Sequence, residues 1–530
     1  MKFKFIYFLL VVFVFSCAKR GTITGGLKDT LAPKLVSSLP KNLSKNFTGK
    51  EIKLTFDEYV KLKNANKQLI ISPPMKNQVE IMPSNATKQI TIKIKDTLLP
   101  NTTYSFNFGN AIEDNNESNP LKQFKFAFST GNVIDSLKIL AKVKDAIDKK
   151  NPDFVSIMLY DKDDNYSDSI IFKKPPRYIT NTLESLTMGE INNIKKGKYK
   201  IVAIKDLNGN NKFDPKTEKI GFVKDFISIP NDTVFELELF KQTQKYKAIN
   251  AQQTSGNKII LGYEGFGDDA KIEVKKGKEI IPFLVTKMPK KDSLNIWFKS
   301  PKNDSISVNV VNKEYSKKFL LKVKDNKKDT LSFDANQKSD LPFSEKFTIT
   351  SSIPLVLFDP SKIKITNKAK KEVKFKGNYN EQTQEYSFDF AKEPLDEYKI
   401  LALPNAFTDF YGKKSDTLKY KVSTRSLADY CSLRLELENV KRFPVIVELT
   451  DKTGKVVAKM YSEKSKTLNF DNLEPNIFLV RLIYDDNKNR IWDPGNFIEK
   501  RQSEEVIYFP EEMNIHANFD IIQSFDVGKK

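Results

Sequence analysis

Two segments of the chain, residues 206–215 and 485–494, share the pattern D-x-N-x-N-x-x-x-D-P. Both place side-chain oxygens at alternate positions, an arrangement that suits a hard cation such as Ca²⁺. The pattern predicts weak calcium binding, in the range of about 10⁻⁴–10⁻³ M found for extracellular modules. The expected ligands are Asp206, Asn208, Asn210 and Asp214 in the first segment and Asp485, Asn487, Asn489 and Asp493 in the second.

An Asx-turn loop without a cation is the alternative for these segments, because Asn and Asp side chains readily accept hydrogen bonds from nearby backbone amides. Two positions depart from the EF-hand loop. Position 6 is Asn211 or Arg490 instead of Gly, and position 12 is Thr217 or Asn496 instead of Glu. The residues alone leave both interpretations open.

Cys17 closes a short apolar leader. Residues 1–4 are cationic, residues 5–15 are apolar, and the small residue Ser16 precedes the cysteine. The run is too short for a bilayer span, which needs about 20 residues, and it fits a cleaved signal peptide. The pattern predicts a bacterial lipobox, with a fatty acyl group such as palmitate on Cys17 of the mature chain. An ordinary secretory signal is the alternative.

Few residues are suited to catalysis. His516 is the single histidine, which removes most schemes with an imidazole base and most zinc sites. Asp57 and Glu58 could act as paired carboxylates, but no second pair complements them, and a turn after a strand is the simpler interpretation. We expect a protein that is not an enzyme; a metal-independent cell-envelope enzyme is the alternative.

The formal net charge is +21, from 88 Lys and Arg residues against 67 Asp and Glu residues. Clustered basic residues would indicate nucleic-acid binding. Here they are spread among acidic residues, and export separates the chain from the nucleoid, so we expect no nucleic-acid partner. Solvated strand faces and a lysine-rich coding bias account for the charge. Attraction to anionic lipid head groups or acidic polysaccharide is the alternative.

Apolar and polar residues alternate along much of the chain with the period of a β-strand, as at residues 52–56, 90–94, 104–108 and 124–128. Turn residues separate these runs at intervals typical of sandwiches, and no long helical pattern competes with them. The sequence predicts an all-β chain whose length corresponds to roughly three to five domains.

An ordered set of short motifs lies between residues 30 and 131. It includes Pro33, Pro40, the acidic pair after the strand at 52–56, the segment L-P-N-T-T-Y at 99–104 and F-S-T-G at 128–131. This set resembles the bacterial Ig-like domain first described in the S-layer protein SbsA. The resemblance implies a structural or adhesive module without catalytic residues. Behind a lipobox and a Gly/Thr-rich tether, it also implies a lipoprotein of Bacteroidota.

The two Asp/Asn segments belong to a longer repeat, in which Tyr199 aligns with Phe478 and Ile204 with Ile483. A strand that runs into an Asp/Asn-rich loop resembles the prealbumin-like or Cna-B-like β-sandwich. A fainter copy of the Ig-like pattern lies at residues 393–424. Together these repeats indicate a duplicated pair of domains with a further segment between the copies.

The predicted fold is an elongated all-β chain of tandem Ig-like and prealbumin-like or Cna-B-like β-sandwich domains. The expected order is a signal peptide (1–16), a flexible tether (17–29), an SbsA-type Ig-like domain (30–132), a prealbumin-like sandwich (133–243), a β-sandwich of unspecified type (244–342), a second Ig-like domain (343–427) and a second prealbumin-like sandwich (428–530).

We expect a non-enzymatic lipoprotein of the outer membrane that acts as a scaffold, an adhesion module or an accessory subunit. Its expected partners are the lipid membrane, through acylated Cys17, and an envelope protein such as an outer-membrane β-barrel complex. Lys19 and Arg20 stand where surface-displayed lipoproteins of Bacteroidota often carry an acidic run, so either face of the membrane stays open. A carbohydrate- or peptidoglycan-binding lipoprotein is the alternative.

Overall fold

The computed structural model describes residues 29–184, 186–267, 269–299 and 303–528. The expected signal peptide, Cys17 and the tether up to residue 28 lie outside them. Nearly all regular structure in the described residues is β-strand, which confirms the all-β prediction. No helix among them is long and apolar enough to cross a membrane. The helical segments are α1 at Ala65–Gln68 and 3₁₀ turns at Asp168–Phe172, Pro360–Lys362 and Leu427–Asp429.

The chain divides into two compact units. The first takes in the described residues up to Lys138 with Arg177–Leu183 and Ile191–Lys196, and the second takes in Ile139–Pro176, Glu184–Glu190 and the described residues from Gly197 onward. The first eight strands, all in the first unit, are β1 Leu35–Leu39, β2 Glu51–Leu62, β3 Ile70–Ser72, β4 Glu80–Met82, β5 Thr87–Lys93, β6 Thr103–Asn107, β7 Ile112–Asp114 and β8 Lys125–Ser129.

These eight strands form a two-sheet sandwich. One sheet has the order β1-β2-β5-β4, with β7 paired to β2, and the other has the order β3-β6-β8. Because successive side chains of a strand point to opposite faces, the alternating run at the start of β2 buries Ile52, Leu54 and Phe56 between the sheets. The same core contains Ile90, Ile92, Tyr104, Phe106, Phe126 and Phe128.

The next eight strands include a second sandwich, which we call the first loop module. Strands β10, β13 and β14 form one antiparallel sheet with β15 paired to β13, and β9 pairs in parallel with β16. The ranges are β9 Leu137–Asp145, β10 Ser156–Asp161, β11 Tyr178–Asn181, β12 Met188–Ile194, β13 Gly197–Ile204, β14 Ile220–Phe222, β15 Ile227–Ile229 and β16 Val234–Leu239.

The middle segment consists of two four-stranded sheets with the orders β17-β18-β22-β21 and β20-β19-β23-β24. Their facing sides enclose an apolar core that includes Leu261, Val274, Ile296 and Val308. The strands are β17 Lys247–Ser255, β18 Lys258–Glu264, β19 Lys271–Lys276, β20 Glu279–Ile280, β21 Phe283–Lys287, β22 Ser293–Phe298, β23 Ser305–Asn312 and β24 Tyr315–Lys322.

The following nine strands repeat the topology of the first sandwich. Their sheets have the orders β25-β26-β30-β29 and β28-β31-β33, and β27 pairs with β32 as β2 pairs with β7. The first strand of this copy begins at Phe333. The strands are β25 Phe333–Ala335, β26 Phe347–Ser351, β27 Leu355–Phe358, β28 Ile363–Thr366, β29 Phe375–Asn380, β30 Glu385–Phe390, β31 Glu397–Ala402, β32 Phe407–Asp409 and β33 Leu418–Ser423.

A tyrosine corner occurs in both of these sandwiches. The Tyr104 hydroxyl accepts a hydrogen bond from the amide of Leu99, 2.9 Å away, and the Thr130 hydroxyl donates to the Leu99 carbonyl. In the second copy the Tyr398 hydroxyl accepts from the amide of Glu393 at 2.7 Å, and Thr424 donates to the carbonyl of the same residue. The same two bonds occur at equivalent positions in both copies, which supports a duplication.

The last eight strands, which form the second loop module, repeat the first loop module. They form the sheet β36-β35-β38-β39 with β40 paired to β38, and the sheet β37-β34-β41 with β34 and β41 parallel. The strands are β34 Cys431–Glu438, β35 Val445–Thr450, β36 Val456–Ser462, β37 Thr467–Leu473, β38 Asn476–Tyr484, β39 Val506–Tyr508, β40 Met513–Ile515 and β41 Asp520–Asp526.

Candidate functional site

The two Asp/Asn segments lie in equivalent loops of the two loop modules. The first loop, residues 205–219, joins β13 to β14, and the second loop, residues 485–505, joins β38 to β39. β13 and β38 are central strands of their sheets and carry long buried apolar runs. Each loop therefore begins at the end of a central strand whose side chains are mostly buried.

The leading aspartate of each loop binds the backbone of its own turn. The Asp206 carboxylate accepts hydrogen bonds from the amides of Asn210 and Asn211 at 3.3 and 2.8 Å. The Asp485 carboxylate accepts from the amides of Asn489 and Arg490 at 3.1 and 2.9 Å. These contacts are those of the Asx-turn interpretation.

Two residues of each Asp/Asn segment, residues 206–215 and 485–494, adopt left-handed backbone conformations. They are Gly209 and Asn211 in the first loop, and Lys488 and Arg490 in the second. Their φ angles lie between 56° and 67°, a region that costs energy for residues other than Gly, Asn and Asp. The two segments thus share left-handed conformations at the same two positions, the fourth and the sixth, although the residue types there differ.

A buried glutamate holds each loop together, and the repeat pattern did not reveal it. Glu218 is fully buried and accepts hydrogen bonds from the amides of Leu207 and Asp214 at 2.9 and 2.8 Å. Glu504 is 8% exposed and accepts from the amides of Asp486 and Asp493 at 2.8 and 3.0 Å.

The two glutamates are equivalent in space but differ in sequence spacing. Glu218 lies 11 residues after Leu207, whereas Glu504 lies 18 residues after Asp486. An ungapped alignment of the two loops therefore cannot pair them. Burial raises the pKa of both carboxyl groups, and the amide donors only partly oppose that shift.

The loops differ in how they place the expected calcium ligands. In the second loop the side-chain amide nitrogens of Asn487 and Asn489 lie 2.5 and 2.6 Å from one carboxylate oxygen of Asp493. In the first loop the carboxylate of Asp214 instead accepts from Lys216 and Thr217, and the Asn208 amide donates to Glu218.

The second loop is therefore the better candidate for a cation. It brings the side chains of three of its four expected ligand residues together, but through amide nitrogens that donate to Asp493. The Asn487 and Asn489 oxygens accept from the backbone amides of Asn489 and Ile491. Ca²⁺ takes six to eight oxygens. No cluster of three or more His, Cys, Asp or Glu suited to a metal occurs in the described part of the chain. Calcium binding stays a prediction for both loops.

The second loop packs against the first loop module. The Phe497 ring lies edge-on to that of Phe222, with centroids 5.2 Å apart, and the Phe497 amide donates to the Gln242 side chain. Gln502 donates to the Phe222 carbonyl at 2.8 Å. Trp492, the aromatic residue within the Asp/Asn segment, is partly buried, and its indole N–H donates to the Glu504 carbonyl.

Lys200 is 2% exposed and lies at this contact. Its ammonium group donates to the carbonyls of Val223 and Lys224, both at 2.8 Å. Its nitrogen also lies within 5.4–5.7 Å of the ring centroids of Phe222, Phe226 and Phe497. Burial lowers the pKa of Lys200. The two carbonyls and three rings take the place of water around this cation.

The side chains that could take part in catalysis lie at three separate positions in the structure. Asp57 and Glu58 lie inside β2 and not in a turn, and the Asp57 carboxylate accepts from the amide of Lys34 at 2.8 Å. His516 is exposed and near Phe519. Cys431 is a buried free thiol whose Sγ contacts the Leu473 carbonyl. None of the three positions joins a group of catalytic side chains in the described residues.

The comparison with protein families supports the prediction of an Ig-like domain for the first sandwich. Residues 29–130 match the family model of the bacterial Ig-like domain, Big_5. These residues form a bacterial Ig-like domain. No curated protein matches the chain.

Several solved structures are similar to the chain. A six-domain structure of the surface layer protein SbsC shares 11% identity, covers 92% of this chain and 68% of its own, and has a TM-score of 0.16. The major pilin subunit BcpA of Bacillus cereus shares 10% identity over 74% of this chain and 98% of its own, with a TM-score of 0.14. A titin fragment shares 10% identity over 45% and 90%, with a TM-score of 0.15. Similarities at this level carry no information on function.

Proposed function

We propose that this protein is a non-enzymatic scaffold of the bacterial envelope, a multi-domain β-sandwich chain that holds a partner protein at the outer membrane. Under this proposal it is a lipoprotein, and acylated Cys17 attaches it to the membrane. The partner is an envelope protein, and the chain serves as its accessory subunit or adhesion arm.

The observation that carries the proposal is the contact between the two loop modules. Arg481 and Tyr508 of the second module both donate hydrogen bonds to the carbonyl of Ile147 in the first, and Lys149 donates to the carbonyls of Phe509 and Pro510. The contacts at Ile147 are partly buried and those of Lys149 are exposed, and together they join two domains that are far apart in sequence and restrict their relative motion. Fixed domain positions are what a scaffold requires.

The anchor rests on the N-terminal sequence. The cationic start, the apolar run and Ser16-Cys17 fit a lipoprotein signal, and the polar residues that follow suit a tether. A Cys17→Ser variant should lose lipid labelling and membrane retention. Labelling that persists in this variant would contradict the anchor; binding of a partner protein is tested separately, by co-purification.

The scaffold proposal is tested by gentle detergent extraction of the epitope-tagged chain from its native host, followed by identification of co-purifying proteins. We expect a stable complex with at least one envelope protein, lost when Arg481 is replaced by Met but retained with Arg434→Met, which changes an exposed ion pair. Recovery of the chain alone, at monomer size, would contradict the proposal.

A further inference from the structure

The four-stranded sheet β20-β19-β23-β24 of the middle segment has one face packed and one face open. The packed face contributes Val274, Val308 and Phe319 to the core. The open face, which we call the lysine face, consists of the alternate residues. They are Lys271, Glu273 and Lys275 of β19, Ile280 of β20, Ser305, Ser307, Asn309 and Val311 of β23, and Ser316, Lys318, Leu320 and Lys322 of β24.

Lysines border the lysine face on two sides. Lys271 and Lys275 stand on β19, and Lys318 and Lys322 on β24, with the short side chains of β23 between them. Among the described residues of these four strands, Glu273 is the one acidic side chain that the register places on this face, and it lies 2.7 Å from Lys275. The face is therefore strongly cationic.

Apolar side chains lie among these lysines. Leu320 is 78% exposed, the highest value for a large apolar side chain in the described residues, and Ile280 is 55% exposed. The register puts Ile280 beside Lys275, Lys275 beside Ser307, and Ser307 beside Leu320, in one row across the sheet. No packing within the sandwich explains two aliphatic side chains in water.

The surrounding sequence extends the positive charge. Residues 271–328 contain sixteen lysines and six acidic residues. The chain as a whole has a much smaller relative excess of basic over acidic residues. Positive charge is thus concentrated in the part of the chain that carries the lysine face.

We infer that the lysine face binds the anionic head groups of a phospholipid bilayer. Lysines supply attraction to the negative surface, and Leu320 and Ile280 enter the boundary between head groups and acyl chains. The exposed apolar side chains of the face are aliphatic, because the aromatic residues of β24, Tyr315 and Phe319, belong to the opposite, packed face. Aliphatic side chains among lysines fit a lipid interface better than a polysaccharide. This inference does not depend on acylation of Cys17.

The test uses the mature chain with Cys17→Ser, so that no acyl group contributes, and vesicles of phosphatidylglycerol mixed with phosphatidylcholine or of phosphatidylcholine alone. We expect sedimentation with the anionic vesicles at about 0.1 M salt and little with the neutral ones. The double variant Lys318→Gln and Lys322→Gln should reduce partitioning about 25-fold, because each lysine near such a surface contributes about fivefold.

Two comparisons separate the lysine face from overall charge. Lys374→Gln with Lys376→Gln removes the same charge from exposed positions near β29 and should leave partitioning nearly unchanged. Leu320→Asn should weaken the binding that remains at high salt. Melting curves verify that each variant is folded.

Equal losses in the two double variants would overturn the inference, as would unchanged binding in the β24 variant. Binding of the chain to an acidic polysaccharide such as alginate, without binding to anionic vesicles, would assign the face to a glycan instead. A lipid result of either sign leaves the scaffold proposal standing, because that proposal is judged by co-purification of a protein partner.

Discussion

Arg481 of β38 donates a hydrogen bond from Nη1 to the carbonyl oxygen of Ile147, 2.9 Å away in space and 334 positions earlier in the chain. The rest of the guanidinium group binds Glu448 of β35, with distances of 2.9 Å from Nε and 2.7 Å from Nη2. The Arg481 side chain is 7% exposed. The Arg481 guanidinium group therefore forms a buried ion pair inside the second loop module and a hydrogen bond to the backbone of the first loop module.

We predict that Arg481→Met destabilises this part of the chain by about 3 kcal/mol, because it leaves the buried Glu448 carboxylate with only its longer ion pair to Lys459, 3.7 Å away. Urea unfolding and amide hydrogen exchange around Ile147 measure the effect. Arg434→Met, at an exposed pair with Glu436, should cost less than about 1 kcal/mol. The double variant Arg481→Met with Glu448→Leu should recover most of the loss. Equal stability of the two single variants would contradict the prediction.

The buried glutamates of the loops provide a second prediction. Glu504→Gln should destabilise the second loop by about 1–3 kcal/mol, because one amide NH₂ group would face a backbone N–H in place of an acceptor. Glu218→Gln should have an effect of similar size in the first loop. Glu499→Gln, at an exposed position, is the matched control and should be nearly neutral. Denaturant melts compare the three, and a neutral Glu504→Gln would show that the carboxylate does not hold the loop.

Calcium is the third prediction. At about 10 mM Ca²⁺, a site in the predicted affinity range would stabilise its module by about 1.4–2.7 kcal/mol. Melting curves with calcium and with chelator should therefore differ. Asp493→Asn should remove most of the difference and Asp214→Asn less of it, because only the second loop gathers Asn487, Asn489 and their aspartate. Identical curves with and without calcium would remove the proposed site.

Acid sensitivity of the Ig-like domain is the fourth prediction. Burial pushes the pKa of Asp114 upward, but hydrogen bonds from four backbone amides outweigh it and hold the pKa below its ordinary value of 3.8. A carboxylate with a lowered pKa stabilises the fold above its unfolded pKa, and this contribution is lost as pH falls through the lower folded pKa.

Hydrogen exchange of the amides at residues 116–119 should therefore show increased opening below about pH 4. In Asp114→Asn the opening should already be raised at neutral pH and should change less with acid. Asp57 →Asn serves as the comparison at a more exposed carboxylate of the same domain. An unchanged pH profile in Asp114→Asn would contradict the assignment.

Local patterns in the sequence determined the fold class and the repeats. Alternation along residues 52–56 is enough to predict a strand with one buried face, because side-chain direction in a strand depends only on position. The Asp/Asn loops were visible for the same reason, since each aspartate binds amides a few residues away. The match of residues 29–130 to the bacterial Ig-like family agrees with the motifs at 99–104 and 128–131.

Contacts between segments that are distant in sequence are determined by the tertiary structure. Glu218 and Glu504 occupy equivalent positions in their own loops, but they follow the Asp/Asn segments at different sequence spacings. Only the folded loops therefore reveal their shared role. The contact of Arg481 with Ile147 and the rings around Lys200 depend on how two modules meet. The row from Ile280 to Leu320 depends on strand register. Spacing along the chain encodes local hydrogen bonding, whereas burial and charge partners depend on distances that exist only after packing.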